Sequence, residues 1–124
     1  MTKPFGLDLV SHIEELASGL CTLVKQGASN TSVTYSGGTD EGEVGSSFDK
    51  IMKAVNDNEA DYIYAFYDLG SAKMTLELVS EMSEKTIEII DAAFVEGAYT
   101  AGALIESDNT KETIDEQLGT LIIK

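Results

Sequence analysis

Cysteine is nearly absent from this chain of 124 residues. The single Cys21 cannot close an intrachain disulfide and leaves no thiol cluster for zinc, a usage that fits a reducing compartment. Basic residues are also scarce, with 8 Lys plus Arg against 22 Asp plus Glu, a formal net charge of -14 and a pI near 4.1. No cluster of basic side chains occurs, which sets aside binding to nucleic acid or to an anionic membrane, since both need a positive patch. Long hydrophobic runs are missing too. Nothing approaches the roughly 18 apolar residues of a membrane span, and the opening MTKPFGLDLVSH is broken by Asp8 and lacks the apolar length of a signal peptide. A cytoplasmic protein is expected. At 43% hydrophobic residues the chain still has ample material for a core, so the acidity belongs to the surface of a folded protein. The length suits one compact domain, residues 1–124, that buries about two-thirds of its unfolded surface.

Hydrophobic periodicity alternates between strand and helix. Phe5 to Val10 reads as a short strand, and Ile13, Leu16, Ala17, Leu20, Leu23 and Val24 then recur at helical spacing. Ser11 with Glu14 makes a capping box, Gly27 supplies the stop, and His12 falls in the first turn. Ser32 to Ser36 is a second strand, with Val33 and Tyr35 on one face. It runs into a glycine-rich loop, and a helix follows with Phe48, Ile51, Met52 and Val55 apolar and Ser46 and Asp49 as its capping pair. Tyr62 to Tyr67 is apolar throughout and reads as a strand buried on both faces. The next helix carries Met74, Leu78, Val79 and Met82, and a fourth strand runs from Thr86 to Ile90. Two helices close the chain, one from about Phe94 to Ile105 and one opened by Asn109 with Glu112 and striped by Ile114, Leu118, Leu121 and Ile122. Strands joined through helices predict an α/β fold, a three-layer α/β/α sandwich with a mainly parallel central sheet. Asp8 strains this reading, because an acid in a buried strand needs a partner or an exposed end.

In a parallel sheet the segments after the strands gather at one edge, where such folds bind ligands. Ser11 and His12, then Gly37, Gly38, Thr39 and Asp40, then Asp68, Gly70 and Ser71, and finally Asp91 are expected there, each loop opening a helix with unpaired N–H groups. His12 is the only histidine in the chain. The positive end of a helix dipole disfavours imidazolium, which leaves a neutral ring with one nitrogen free to attack an electrophile. Asp68, at the end of a neighbouring central strand, is the best-placed carboxylate to accept the other N–H and fix the tautomer. Such an imidazole is a good nucleophile for phosphorus. The phosphohistidine would be held by backbone amides around Ser11, Gly38, Thr39, Gly70 and Ser71.

Plainer readings stand beside these. A lone histidine can be structural, and Asp68 and Asp91 can be ordinary caps or turn residues. The stretch SGGTDEGEVG has neither a P-loop nor a dinucleotide pattern and can be a flexible connection. Its Asp40, Glu41 and Glu43 do not match calcium-loop spacing, so no metal site is assigned. Cys21 reads as core filling and the tyrosines of the third strand as packing.

Four stretches carry a family resemblance: Leu9-Val10-Ser11-His12, the run from Gly37 to Ile51 (GGTDEGEVGSSFDKI), Tyr67-Asp68-Leu69-Gly70-Ser71-Ala72-Lys73-Met74, and Val95-Glu96-Gly97-Ala98. Together they resemble the DhaM phosphocarrier subunits, part of the mannose-type EIIA group of the phosphotransferase system. The long glycine stretch and YDLGSAKM are the specific part, while a strand followed by Ser-His is shared more widely. The resemblance implies that His12 takes a phosphoryl group from the carrier protein HPr, with Nε2 as the modified nitrogen, and passes it to ADP held on a DhaL subunit. The ATP formed there would phosphorylate dihydroxyacetone on DhaK. It further implies that Asp68 is the carboxylate paired with the active histidine, that the protein is a homodimer, and that it carries no cofactor of its own. Some relatives have HPr-like and enzyme I-like domains fused behind this one, whereas this sequence stops at Lys124, so its donor is expected on separate proteins.

The charge agrees with a docking carrier. At -14 the chain should bind free nucleotide poorly, so the phosphates must arrive on partners that bring cations. Three rivals remain: an EIIA domain of a sugar transporter donating to EIIB through the same His12; a receiver-like domain phosphorylated on Asp68, which lacks the acidic pair expected after the first strand; and a non-catalytic module whose anion pocket only docks a partner.

Overall fold

A computed structural model of the chain describes residues 3–124, so Met1 and Thr2 of the opening stretch lie outside it. The elements run β1 (Phe5–Ser11), α1 (Glu14–Gly27), β2 (Val33–Gly37), α2 (Phe48–Asp57), β3 (Tyr62–Tyr67), α3 (Gly70–Met82), β4 (Thr86–Ile90), α4 (Phe94–Glu106) and α5 (Lys111–Gly119). All strand pairs are parallel, in the order β2-β1-β3-β4. The architecture is the expected α/β sandwich.

Alternation along the strands divides the core. Leu7, Leu9, Tyr64 and Phe66 point to one face and pack with Leu20, Val24, Ala98, Ala101, Ile105, Ile114 and Leu118 of α1, α4 and α5. Val10, Ile63, Ala65 and Tyr67 point to the other, against Ile51, Val55, Ala72, Leu76 and Val79 of α2 and α3. Both clusters form on the central pair β1 and β3, so the ends of those strands are held from two sides. Cys21 is buried in the first cluster, as filling.

Several local expectations shift. Ser11 does not cap α1; it is the last residue of β1, and its hydroxyl accepts from the Ile13 N–H, closing a turn ahead of a helix whose N-cap is Ile13. His12 therefore lies in the strand-to-helix connection. The α2 cap is Ser47, which accepts from the Lys50 N–H, because Ser46 is turned to the Thr75 hydroxyl of α3. Thr110 caps α5 through the Thr113 N–H, while Asn109 donates to the Leu104 carbonyl and closes α4. Tyr35 shares the pleat of Val33 but is exposed, since β2 is an edge strand. Largest is the change in α3: Met74, Leu78 and Met82 are exposed, and Ala72, Leu76 and Val79 face the sheet.

Asp8 is fully buried in β1. Thr34 donates to its Oδ1 at 3.4 Å, and Oδ2 has no hydrogen-bond partner. Burial pushes its pKa up from 3.8 to about 7, against the smaller opposing pull of the Thr34 hydroxyl and the Leu9 backbone.

Candidate active site

The carboxyl ends of β1 and β3 are neighbours in register, Val10 beside Tyr67. The chain leaves β1 into a helix on one face of the sheet and β3 into a helix on the other, which opens a crevice between the two ends. Ser11-His12 and Asp68 meet in it. The Asp68 backbone N–H donates to the Val10 carbonyl at 3.2 Å, continuing the β1–β3 ladder by one bond past the last pair.

The Asp68 carboxylate is saturated with donors. Its Oδ1 accepts from His12 Nδ1 at 2.8 Å and from the Leu69 N–H at 2.7 Å; its Oδ2 accepts from the His12 backbone N–H at 3.0 Å and the Ser11 hydroxyl at 2.8 Å. Burial works against the charged form. The bonds from the His12 backbone and ring, Ser11 and Leu69 outweigh it and hold the Asp68 pKa below the ordinary carboxylate range. An ionised carboxylate only accepts, so Nδ1 of His12 must carry the proton facing it. In the neutral ring the lone pair then sits on Nε2.

Nε2 faces the Ser71 hydroxyl, on the second residue of α3. As the first residues of that helix, Gly70 and Ser71 have N–H groups with no intrahelical acceptor, which form the positive end of the helix dipole. A side chain added at Gly70 would meet nothing within 4 Å, so the space above it is open. The ring is mostly enclosed, its side chain 12% exposed. A crevice of about 170 Å³ reaches it between Glu14, Glu15 and Glu43.

The other expected cradle residues are placed differently. Ser11 is fully buried, with its hydroxyl engaged by Asp68 and Ile13. The Gly38 N–H donates to the Ser11 carbonyl at 3.4 Å, tying the loop to the end of β1, and the Thr39 N–H donates to the Glu43 carbonyl at 2.9 Å, closing the loop on itself, so both amides are engaged. Gly38 is at φ +77°, a left-handed conformation that favours glycine. A Cβ at Gly37 would lie 2.5 Å from the Glu14 backbone, so only glycine lets the loop start this close to α1. The loop also reaches the histidine, through a Gly45 N–H bond of 3.0 Å to the His12 carbonyl. Asp40 accepts from the Ser47 hydroxyl, and among the described residues no group of three or more metal-ligating side chains comes together.

Asp91 does not touch the histidine. It accepts from the Tyr67 hydroxyl at 2.5 Å and pairs with Lys73 at 2.9 Å. Sequence reading gave no role to Lys124. Its ammonium bonds the Tyr67 carbonyl and lies 4.1 Å from the centre of the Tyr67 ring, one residue from Asp68. Only the folded tail brings these residues together, across 57 positions of sequence.

Comparison with known proteins gives the family. Residues 6–116 match the family described as the PTS system fructose IIA component, EIIA-man. The phosphotransferase subunit DhaM of PTS-dependent dihydroxyacetone kinase from Lactococcus lactis subsp. lactis strain IL1403 is 49% identical over 120 residues, 97% of this chain and 98% of that protein. The phosphoryl donor subunit DhaM of PEP-dependent dihydroxyacetone kinase 1 from Listeria innocua serovar 6a is 45% identical over the full length of both. Among solved structures, a protein of unknown function superposes with a TM-score of 0.83 at 26% identity, covering 97% of this chain and 96% of that one. The fold, the match along nearly the whole chain and the relatives agree: this chain belongs to the mannose-type EIIA family of the phosphotransferase system, in its DhaM group.

Proposed function

We propose that this chain is the phosphoryl-donor subunit of a dihydroxyacetone kinase, receiving a phosphoryl group from phospho-HPr on His12 and passing it to ADP bound on a DhaL subunit. One observation carries the reading: the imidazole is held at Nδ1 by an ionised Asp68, while its other nitrogen faces the Ser71 hydroxyl at a helix N-terminus. The names of the relatives from L. lactis and L. innocua support the substrate.

In the first step the Nε2 lone pair attacks phosphorus, a new P–N bond forms, and the P–N bond to the donor's imidazole breaks as that imidazole leaves. Nδ1 keeps its proton on Asp68 throughout, so Asp68 compensates the positive charge that develops on the ring. The Gly70 and Ser71 amides and the Ser71 hydroxyl hold the phosphoryl oxygens. Ser11, Gly38 and Thr39 contribute by fixing Asp68 and the loop that meets His12. In the second step an ADP phosphate oxygen attacks, and the bonding pair returns to Nε2. With Glu14, Glu15 and Glu43 around the mouth, the cations that offset the transferred charge come with the partners.

The reading treats residues 1–124 as one cytoplasmic domain acting as a homodimer. Exposed Leu23, Val95 and Tyr99 on α1 and α4 support the pairing, because apolar surface of this kind is ordinarily covered. Incubation with enzyme I, HPr and phosphoenolpyruvate should place one acid-labile, alkali-stable phosphoryl group on His12, and His12→Ala should abolish it. Chase with DhaL-bound ADP should discharge the label. Discharge to EIIB and not to DhaL would assign the chain to sugar transport instead.

A further inference from the structure

The His12 backbone is held on both sides of its Cα. Its N–H goes to Asp68 Oδ2, and its carbonyl accepts from the Gly45 N–H at 3.0 Å. Gly45 belongs to the glycine loop, residues 38–47, which is braced within itself. The Thr39 N–H bonds the Glu43 carbonyl, the Glu43 N–H returns to the Thr39 hydroxyl at 3.1 Å, and the Ser47 hydroxyl bonds Asp40. A loop so braced transmits a displacement of its end to Gly45. Beside Gly45, the Ser46 hydroxyl lies 3.0 Å from the Thr75 hydroxyl of α3, and among the described residues no other hydrogen bond joins the loop to that helix.

We propose that Thr75 is a positioning residue for phosphoryl transfer: its hydroxyl sets the glycine loop against α3, and the loop in turn sets His12 against the start of the same helix. The inference rests on the function proposed above and adds to it a residue with no hydrogen bond to the histidine. Geometry is the first argument. Thr75 follows Ser71 by four residues, so the two share a face of α3, about 6 Å apart along its axis. Ser71 contacts His12 Nε2. A closed circuit results, from the His12 carbonyl through Gly45, Ser46 and Thr75 into α3, and from Ser71 back to the His12 ring. The gap between Nε2 and the helix N-terminus is thereby fixed from both ends. The choice of partners is the second argument. A threonine inside a helix commonly bonds the carbonyl one turn back, as Thr22 does to Ser18 at 3.2 Å. Thr75 turns to Ser46 instead, and Ser46 leaves the capping of α2 to Ser47. Burial is the third: Ala72, Leu76 and Val79 hold α3 to the sheet, while Thr75 is half-buried at its margin, so its hydroxyl can be removed without opening the core.

A double-mutant cycle on the two hydroxyls, read by quench-flow phosphorylation of His12 with phospho-HPr, tests the assignment. Thr75→Val keeps the side-chain shape and removes the hydroxyl; Ser46→Ala removes its partner. Each should slow the rate at saturating phospho-HPr by about three- to tenfold, the range of one neutral hydrogen bond, while the half-saturating concentration stays within about twofold of wild type. The double variant should be no slower than the slower single variant, because both break the same bond. Thr75→Ser keeps the hydroxyl and should run within about twofold of wild type. That rescue, and a loss confined to the saturated rate, are not expected of a residue that only packs. Should Thr75→Val fail to fold, Ser46→Ala carries the comparison from the loop side. Three results would overturn the assignment: an unchanged saturated rate in both single variants, losses that multiply in the double variant, or a loss confined to the half-saturating concentration, which would make Thr75 a contact of the donor. A wild-type protein that phospho-HPr leaves unlabelled would remove the relay itself, whereas a normally labelled wild type beside an equally fast Thr75→Val and Ser46→Ala would remove Thr75 alone.

Discussion

Asp68 holds His12 at two points: one carboxylate oxygen lies 2.8 Å from the ring Nδ1, and the other lies 3.0 Å from the backbone N–H of the same residue. One side chain therefore fixes both the tautomer and the position of the strand end from which the ring projects. Its charge matters as much as its shape.

Asp68→Asn tests that division. The amide can still accept from Nδ1, but it is uncharged and its nitrogen cannot accept from Ser11 and the His12 N–H. Loss of a charge-assisted hydrogen bond of about 1.5–3 kcal/mol corresponds to roughly ten- to hundredfold slower phosphorylation of His12, read by quench-flow with phospho-HPr. Stability has a definite sign too. Because the folded pKa is depressed, the ionised Asp68 stabilises the protein above the ordinary carboxylate range and loses that effect as pH falls through its lowered value. The Asn variant should be less stable than the wild type at pH 7 and approach it in acid. An unchanged rate would remove Asp68 from the chemistry.

Ser71→Ala separates holding from attack. Ser71 is exposed, and its hydroxyl contacts Nε2, so the variant should fold with an unaltered melting temperature. Removing a neutral donor is worth about 0.5–1.5 kcal/mol, a two- to tenfold effect. It should appear as faster hydrolysis of the phosphorylated protein, measured by decay of label at pH 8. A half-life equal to that of the wild type would confine the phosphoryl group to the backbone amides.

How far the sequence led differs from element to element. β3 is bounded by Tyr62 and Tyr67, as its unbroken apolar run requires, because a strand covered on both faces admits few other patterns. His12 and Asp68 could be paired on paper because parallel strands deliver their ends to one edge. Caps were less legible: adjacent serines at positions 46 and 47 are equivalent in sequence, and only the contact of Ser46 with Thr75 decides between them. For α3, apolar spacing fits two faces. Leu76 and Val79 point to the sheet, while Met74, Leu78 and Met82 form a second stripe that local pattern cannot distinguish from a core. The burial of Asp8 was a warning that the sequence raised and could not resolve.

Asp8→Asn should change stability with a pH dependence opposite in sign to that of Asp68. Its folded pKa lies near 7, above the usual 3.8, so the folded state binds the proton more tightly than the unfolded chain. The stability this gives is complete below about pH 4 and is lost as pH rises toward 7. At about 1.4 kcal/mol per pH unit, ionising the folded protein costs on the order of 4 kcal/mol. The Asn variant keeps an acceptor for Thr34 and carries no charge. Urea unfolding should find it more stable than the wild type at pH 8, by about 1–3 kcal/mol once imperfect pairing of the amide is allowed for. The advantage should shrink as pH falls and reverse before about pH 4, where only the poorer pairing of the amide is left. Parallel stability curves would show that Asp8 is ionised in both states.

The last prediction concerns the tail that follows α5. Residues 121–124 run along residues 91–93, joined by Ala93 N–H to the Leu121 carbonyl and by the Ile123 and Lys124 N–H groups to the Asp91 carbonyl. This course delivers the Lys124 ammonium to the Tyr67 carbonyl, across the Tyr67 and Phe94 rings. The peptide between Tyr67 and Asp68 is thus held at both ends, its carbonyl by Lys124 and its N–H by Val10. Burial lowers the Lys124 pKa, while the nearby Asp68 and Asp91 carboxylates oppose that shift. Lys124→Met keeps the apolar stem over the rings and removes the charge, so stability should move by no more than about 1 kcal/mol. Phosphorylation of His12 by phospho-HPr should slow several-fold as the Asp68 peptide loses its anchor, and Lys124→Arg should restore most of the rate. Equal rates for the Met variant and the wild type, or a slow Met variant that Arg does not rescue, would show that the ammonium plays no part in placing Asp68.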